Sequence, residues 1–185
     1  MSPAVDIHAE LSVEELYDQL ASVAHLHVEL LDGRVVVTGG ASIRHNKIIW
    51  RLIHAVFQFT TARGWDLMND QTVHVKATRD RLKPDLIVLP PNAPQYDDGE
   101  YFAHGILMAV EVVSPSSAND DRVTKKRIYA LGEVPLYLLV DVDTVTLFSD
   151  PDGGSYRSQT TVTIGEKLTL PEPFGIELDT GGLIR

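Results

Sequence analysis

Two apolar runs each carry one carboxylate that a buried strand would ordinarily exclude: Lys83-Pro84-Asp85-Leu86-Ile87-Val88-Leu89 and Val110-Glu111-Val112-Val113-Ser114-Pro115. A polar group among aliphatic neighbours costs roughly 2–7 kcal/mol unless something pairs with it, and a bound cation would offset that cost. Asp85 and Glu111 lie 26 positions apart, a separation that lets their strands run side by side. Hydrolysis of a phosphodiester needs a cation on the phosphate, an activated water and a stabiliser for the leaving oxygen. Carboxylates on adjacent strand ends suit Mg²⁺ or Mn²⁺, hard ions that take oxygen ligands and keep several waters. The backbone carbonyl of Val112 is a further candidate metal ligand. Downstream, Asp121, Lys125 and Tyr129 follow at successive i+4 steps on a predicted helix. Lys125 could hold the attacking water or offset charge at phosphorus; its bland alternative is a salt bridge to Asp121. Tyr129 is either a packing residue or a substrate contact.

These residues need a scaffold, and the hydrophobic pattern supplies one. Ser12 and Glu15 form a capping box for a short amphipathic helix. From Leu26 to Thr38 two apolar segments flank Asp32-Gly33, the signature of a tight hairpin, with Glu29 on its first strand. Ser42 caps a helix to about Arg63, whose Ile49, Leu52, Ile53 and Val56 recur at helical spacing. His45 lies one turn before Ile49, near that helix's N-terminus, where it could position a phosphate, donate to a carboxylate or simply finish the helix. Short strands are expected at 65–68 and 72–75, and buried strands at 86–89 and 106–113. A helix follows from about Asn119 to Leu131, with Asp120-Asp121 read as its cap. Strands at 136–140 and 145–148 and irregular β-structure complete the core. The polar connection from Pro90 to His104 is long enough for a mobile flap or for a contact between two copies of the chain, a homodimer.

At 185 residues the chain suits one domain spanning 1–185, and 44% hydrophobic content is ample for one core. No apolar run approaches the ~18 residues needed to cross a bilayer, so no membrane partner is expected. The start Met1-Ser2-Pro3-Ala4-Val5-Asp6 lacks the features of a signal peptide, which leads to the expectation of a cytoplasmic protein. With no cysteine, thiolate metal sites, disulfides and thiol nucleophiles are excluded. The net charge of −10 speaks against a non-specific nucleic-acid coat. Arg122, Lys125, Lys126 and Arg127 form the one tight basic cluster, readable as a local positive surface or as a solvated helix face.

The segments Pro84-Asp85, Val110-Glu111-Val112-Val113-Ser114-Pro115-Ser116, Asp121-Arg122, Lys125, Tyr129, Val134-Pro135, Tyr137 and Val140-Asp141 resemble the Uma-type restriction endonuclease family, a branch of the PD-(D/E)XK nuclease superfamily. Glu29 to Gly33 resembles that family's opening hairpin, His45 its helix start, and Leu170 to Asp179 its closing segment. The resemblance implies an α/β (mixed α+β) fold with a restriction-endonuclease-like mixed sheet flanked by helices. It also implies Mg²⁺-dependent cleavage of DNA at a site of Asp85, Glu111 and a lysine, with Glu29 as a third acid. In the wider superfamily the lysine stands two residues after the second acid, but that position is Val113 here; the expected cation is therefore Lys125. Arg122, His45 and Tyr129 are candidate substrate contacts. Two positions depart from the family pattern: Glu133 stands where glycine is usual before Val134, and Leu138 where tryptophan follows Tyr137. Two rival readings stay open: a non-catalytic nuclease-fold binding or assembly module, and a hydrolase acting on another phosphoester.

Overall fold

The computed structural model describes residues 11–23 and 26–184. Helix α1 (Val13–Ala21) is opened by the expected capping box: Ser12 Oγ accepts from the Glu15 amide and Glu15 accepts from the Ser12 amide. Strands β1 (His27–Leu31) and β2 (Arg34–Thr38) form the hairpin, with Asp32 and Gly33 both at positive φ as a two-residue primed turn requires. Helix α2 (Ile43–Ala62) is capped by Ser42 and buries Ile48, Leu52, Val56 and Thr60; Leu52 and Val56 belong to the expected stripe, while Ile49 and Ile53 are partly buried.

Strands β3 (Asp66–Met68), β4 (Thr72–Val75), β5 (Asp80–Leu82) and β6 (Leu86–Leu89) follow in short succession. The polar connection is more ordered in pattern than expected. It folds into a hairpin of β7 (Gln95–Asp97) and β8 (Glu100–Phe102), and β8 pairs parallel with β4. After β9 (Met108–Val112), a π-helical turn over Asp120–Lys125 leads into α3 (Lys126–Leu131). The chain ends with β10 (Leu136–Val140), β11 (Thr144–Asp152), β12 (Ser155–Thr163), β13 (Lys167–Leu170) and β14 (Ile176–Asp179).

The fold is mixed α+β, with its main strands in two six-stranded sheets. The central sheet runs β12-β11-β10-β9-β6-β3 and the second β2-β1-β5-β4-β8-β7, while β13 and β14 pair separately. In the central sheet β9 and β10 are parallel and the other neighbours antiparallel. Alternation along β9 sends Met108, Val110 and Val112 toward α2 and Ala109 toward α3 and the second sheet. Both faces are covered, which explains why β6, β9 and β10 read as nearly continuous apolar runs. Among the described residues no helix is long and apolar enough to cross a membrane.

The two departures from the family pattern sit at the exit of α3. Val134 N donates to Tyr129 O and Glu133 N to Ala130 O, a Schellman ending that places Glu133 at φ 57°. Glutamate thus holds a left-handed position that glycine would occupy without strain. Gly132 serves a different need, because a Cβ there would stand 2.7 Å from the Ala103 Cβ. Leu138 is fully buried in the layer beneath α2.

Candidate active site

The β6–β9 register pairs Leu86 with Val110. One step further along that antiparallel ladder, just beyond the end of β6, Asp85 comes opposite Glu111, and opposed residues share a face. Asp85 is clamped at this strand end: its Oδ2 accepts from the Val112 amide at 2.7 Å, and its Oδ1 lies 2.9 Å from His45 Nε2. His45 reaches it from the first turn of α2. The hydrogen bond to Asp85 raises the imidazole pKa above the ordinary 6.5, against the opposing effect of burial.

Glu111 lies deeper, 3% exposed, and both of its hydrogen bonds fall on Oε1: Lys125 Nζ at 3.1 Å and Tyr129 OH at 2.7 Å. Lys125 is equally buried and its ammonium faces three acids, with Glu29 Oε1 at 3.0 Å, Glu111 Oε1 at 3.1 Å and Asp121 Oδ1 at 3.3 Å. Burial alone would lower the Lys125 pKa, but Glu111, Glu29 and Asp121 outweigh it and hold the ammonium well above the usual lysine range. Burial raises Glu111 well above the usual carboxylate range and also raises Asp121; Lys125 counteracts both. One buried cation therefore serves three buried acids.

The π-helical turn carries part of this cluster. It turns both Asp121 and Lys125 inward, whereas Asp120 on the same turn bonds Arg34 at the surface. Asp121 was expected to cap the helix. Instead its Oδ2 accepts from the Ser117 hydroxyl, its Oδ1 is buried with no hydrogen bond, and Tyr137 OH donates to its backbone carbonyl. The amide of Lys83 donates to Glu29 Oε1, fixing the hairpin acid against the chain that leads to Asp85.

These groups border a cavity of about 800 Å³, whose wall includes His27, Glu29, His45, Asp85, Glu111 and Val112, with Asp121 and Lys125 also on it. A hairpin strand with one solvent face could have exposed Glu29, but the structure buries it because β1 is covered on both faces. Two expected substrate contacts lie elsewhere. Tyr129 is fully buried behind Glu111, and Arg122 pairs with Asp141 on the surface. His27, 3.9 Å from Glu29 Oε2, was not singled out from sequence; an isolated histidine opening an apolar strand carries no distinguishing signal.

A hard cation suits the donor types at the cavity: two facing carboxylates, the Val112 carbonyl and a surplus of negative charge. Among the described residues no group of three or more acids and imidazoles stands at metal-ligand spacing.

Comparison with known proteins agrees with this architecture. The Uma2 family model, described as "Putative restriction endonuclease", matches residues 13–181. A crystal structure of a "putative nuclease belonging to DUF820" from Anabaena variabilis ATCC 29413 superposes with a TM-score of 0.72 at 14% identity, covering 95% of this chain and 98% of that one. At that identity the likeness establishes the fold. A cryo-EM structure of a DrdV–DNA complex is similar over 66% of this chain and 12% of that one, at 15% identity and a TM-score of 0.35, which is too low to support an argument. None of the curated proteins matches the chain.

Proposed function

The chain belongs to the Uma2 family, and on that premise we propose that it is a Mg²⁺- or Mn²⁺-dependent DNA endonuclease whose site is the Asp85, Glu111 and Lys125 cavity. The observation that carries this reading is the Lys125 ammonium, placed by a different element within 3.1 Å of Glu111 although Val113 occupies the superfamily's lysine position. Asp85, Glu111 and the Val112 carbonyl would hold the ion, which when bound supplies positive charge at the scissile phosphate and makes a water more acidic.

The remaining chemistry belongs to the protein. Lys125, kept protonated by its acids, orients the attacking water and offsets charge developing at phosphorus. Glu29 and Tyr129 fix that pair from behind, Glu29 through Lys125 and Tyr129 through Glu111. His45 fixes the Asp85 carboxylate from the front, so that both metal-facing acids are oriented before substrate arrives.

The test is incubation of supercoiled plasmid and of single- and double-stranded fragments with the purified protein and Mg²⁺ or Mn²⁺. The expected result is cleavage that chelation abolishes and that Asp85→Ala, Glu111→Ala and Lys125→Ala each lose. Cleavage that persists in all three folded variants contradicts the assignment. One observation favours a second reading, a nuclease-fold binding module without turnover: both Asp85 oxygens are already hydrogen-bonded and Lys125 is enclosed by three acids. A calorimetric Mn²⁺ signal that disappears in Asp85→Ala separates the two, since a module without turnover has no need of that ion.

A further inference from the structure

The charge of this protein is strongly segregated. No Asp or Glu occurs from Gly33 to Trp65, although the chain has 26 acidic residues in 185. That run carries Arg34, Arg44, Lys47, Arg51 and Arg63 and contains the whole of α2. It also forms part of the cavity wall, through Thr38, Gly39, Gly40, Ala41, Ser42, His45, Asn46 and Ile49. The longest acid-free stretch of an acidic protein thus lies at the mouth of a pocket lined with carboxylates.

The side chains along it are suited to a polyanion. Arg44 and Lys47 are exposed on the first turns of α2 and take part in no ion pair among the described residues. The helix N-terminus adds its own partial positive charge on the same side. Next along the helix, Trp50 is 62% exposed and meets His54 edge to face at 4.5 Å. Exposed aromatics beside cations offer a stacking surface to bases or sugars. A phosphate chain approaching Glu29, Asp85, Glu111 and Asp121 would be repelled unless cations outside the cavity compensated.

We propose that the exposed face of α2, from Arg44 and Lys47 to Trp50, binds the DNA backbone, while Ser42, His45 and Asn46 on the opposite side of the same helix border the cavity. This rests on the nuclease reading for its substrate class, but it is tested without cleavage. Binding of a fluorescein-labelled duplex to the full chain in EDTA is followed by anisotropy across a salt series, together with intrinsic tryptophan fluorescence of wild type and of Trp50→Ala, the difference between them reporting Trp50 beside Trp65. Neutralising phosphates with basic side chains makes affinity fall with salt, by about one unit of logarithmic slope per contact. Arg44→Glu with Lys47→Glu is expected to weaken binding at least about tenfold and to lower the salt slope by about two. The same reversal at Arg157 and Lys167, outside the cavity wall, is expected to change it less than about threefold. Trp50→Ala is expected to weaken binding while leaving the salt slope in place.

Duplex binding that is unchanged by the α2 reversal, or changed no more than by the Arg157 and Lys167 pair, overturns the proposal. So does a wild-type chain that binds no duplex. Intrinsic fluorescence that shifts with protein concentration alone in wild type but not in Trp50→Ala also overturns it, because the face is then a contact between copies. Failure of the nuclease reading looks different: binding through α2 without metal-dependent cleavage.

Discussion

Two clusters of charge are held between strands in this protein, and they differ in a way that separates a candidate site from a structural brace. Around Lys125, three acids share one cation at depth and border a large cavity. In the second sheet, Arg81 of β5 pairs with Asp18 at 2.8 Å and lies 3.5 Å from Glu100, while His74 stacks on Tyr96 at 4.2 Å. There burial lowers the His74 pKa and raises that of Glu100, as at the first cluster, yet none of these five residues borders the cavity. Perturbed titration is common to both. What distinguishes the first is an excess of acid converging on space that can admit a ligand.

The largest expected contrast is in stability. Replacing Lys125 with methionine leaves three acids without their cation in a fully buried setting, a loss of about 3–5 kcal/mol. Arg81→Met removes a partner of Asp18, whose side chain is 64% exposed, and should cost about 1 kcal/mol or less from the ion pair. Denaturant unfolding of the two variants measures the difference. Equal losses would mean that the clusters are alike.

The helix that follows Lys125 packs closely against the second sheet at Gly132, at the helix exit. A Cβ there would meet Ala103 at 2.7 Å and Val75 of the second sheet at 3.3 Å. Gly132→Ala is therefore expected to destabilise by about 1–3 kcal/mol through overpacking. At the next residue, Glu133→Gly should be neutral or stabilising by up to about 1 kcal/mol, because release from the left-handed conformation is partly offset by added chain entropy. Thermal unfolding of the pair distinguishes crowding at Gly132 from backbone strain at Glu133.

A smaller effect tests the outer edge of the site. His45 has its folded pKa raised above 6.5, chiefly by the Asp85 hydrogen bond. Its contribution is present in full below the unfolded value and is lost as pH rises through the folded one. In metal-free protein the stability advantage of wild type over His45→Gln should therefore be greater at pH 5.5 than at pH 8.5. A pH-independent difference would show that the imidazole is not charged against Asp85.

Much of this arrangement was readable from sequence. β6 and β10 stand where their apolar runs placed them, and the Asp85–Glu111 spacing implied neighbouring strands, as found. Lys125 could be singled out because Val113 cannot supply an ammonium. Other features lacked a local signal. Asp120-Asp121 has the composition of a cap, and although the i,i+4 spacing marked Asp121 as a partner for Lys125, nothing local showed that both would be buried. Strands β5, β7 and β8 are three residues each and partly polar, too short for an alternating pattern to stand out. The division of strands between two sheets depends on long-range pairing that no single segment encodes.

The most direct measurement compares metal-dependent DNA cleavage by folded Asp85→Asn and Glu100→Gln variants, one from each cluster. Asp85→Asn keeps the size of the side chain and one of its two acceptors while losing the charge, and its rate is expected to fall at least about 100-fold. Glu100→Gln should cleave within about twofold of wild type, since its cluster does not face the cavity. Equal rates for wild type and Asp85→Asn, or an equal loss in Glu100→Gln, would contradict the assignment of the site.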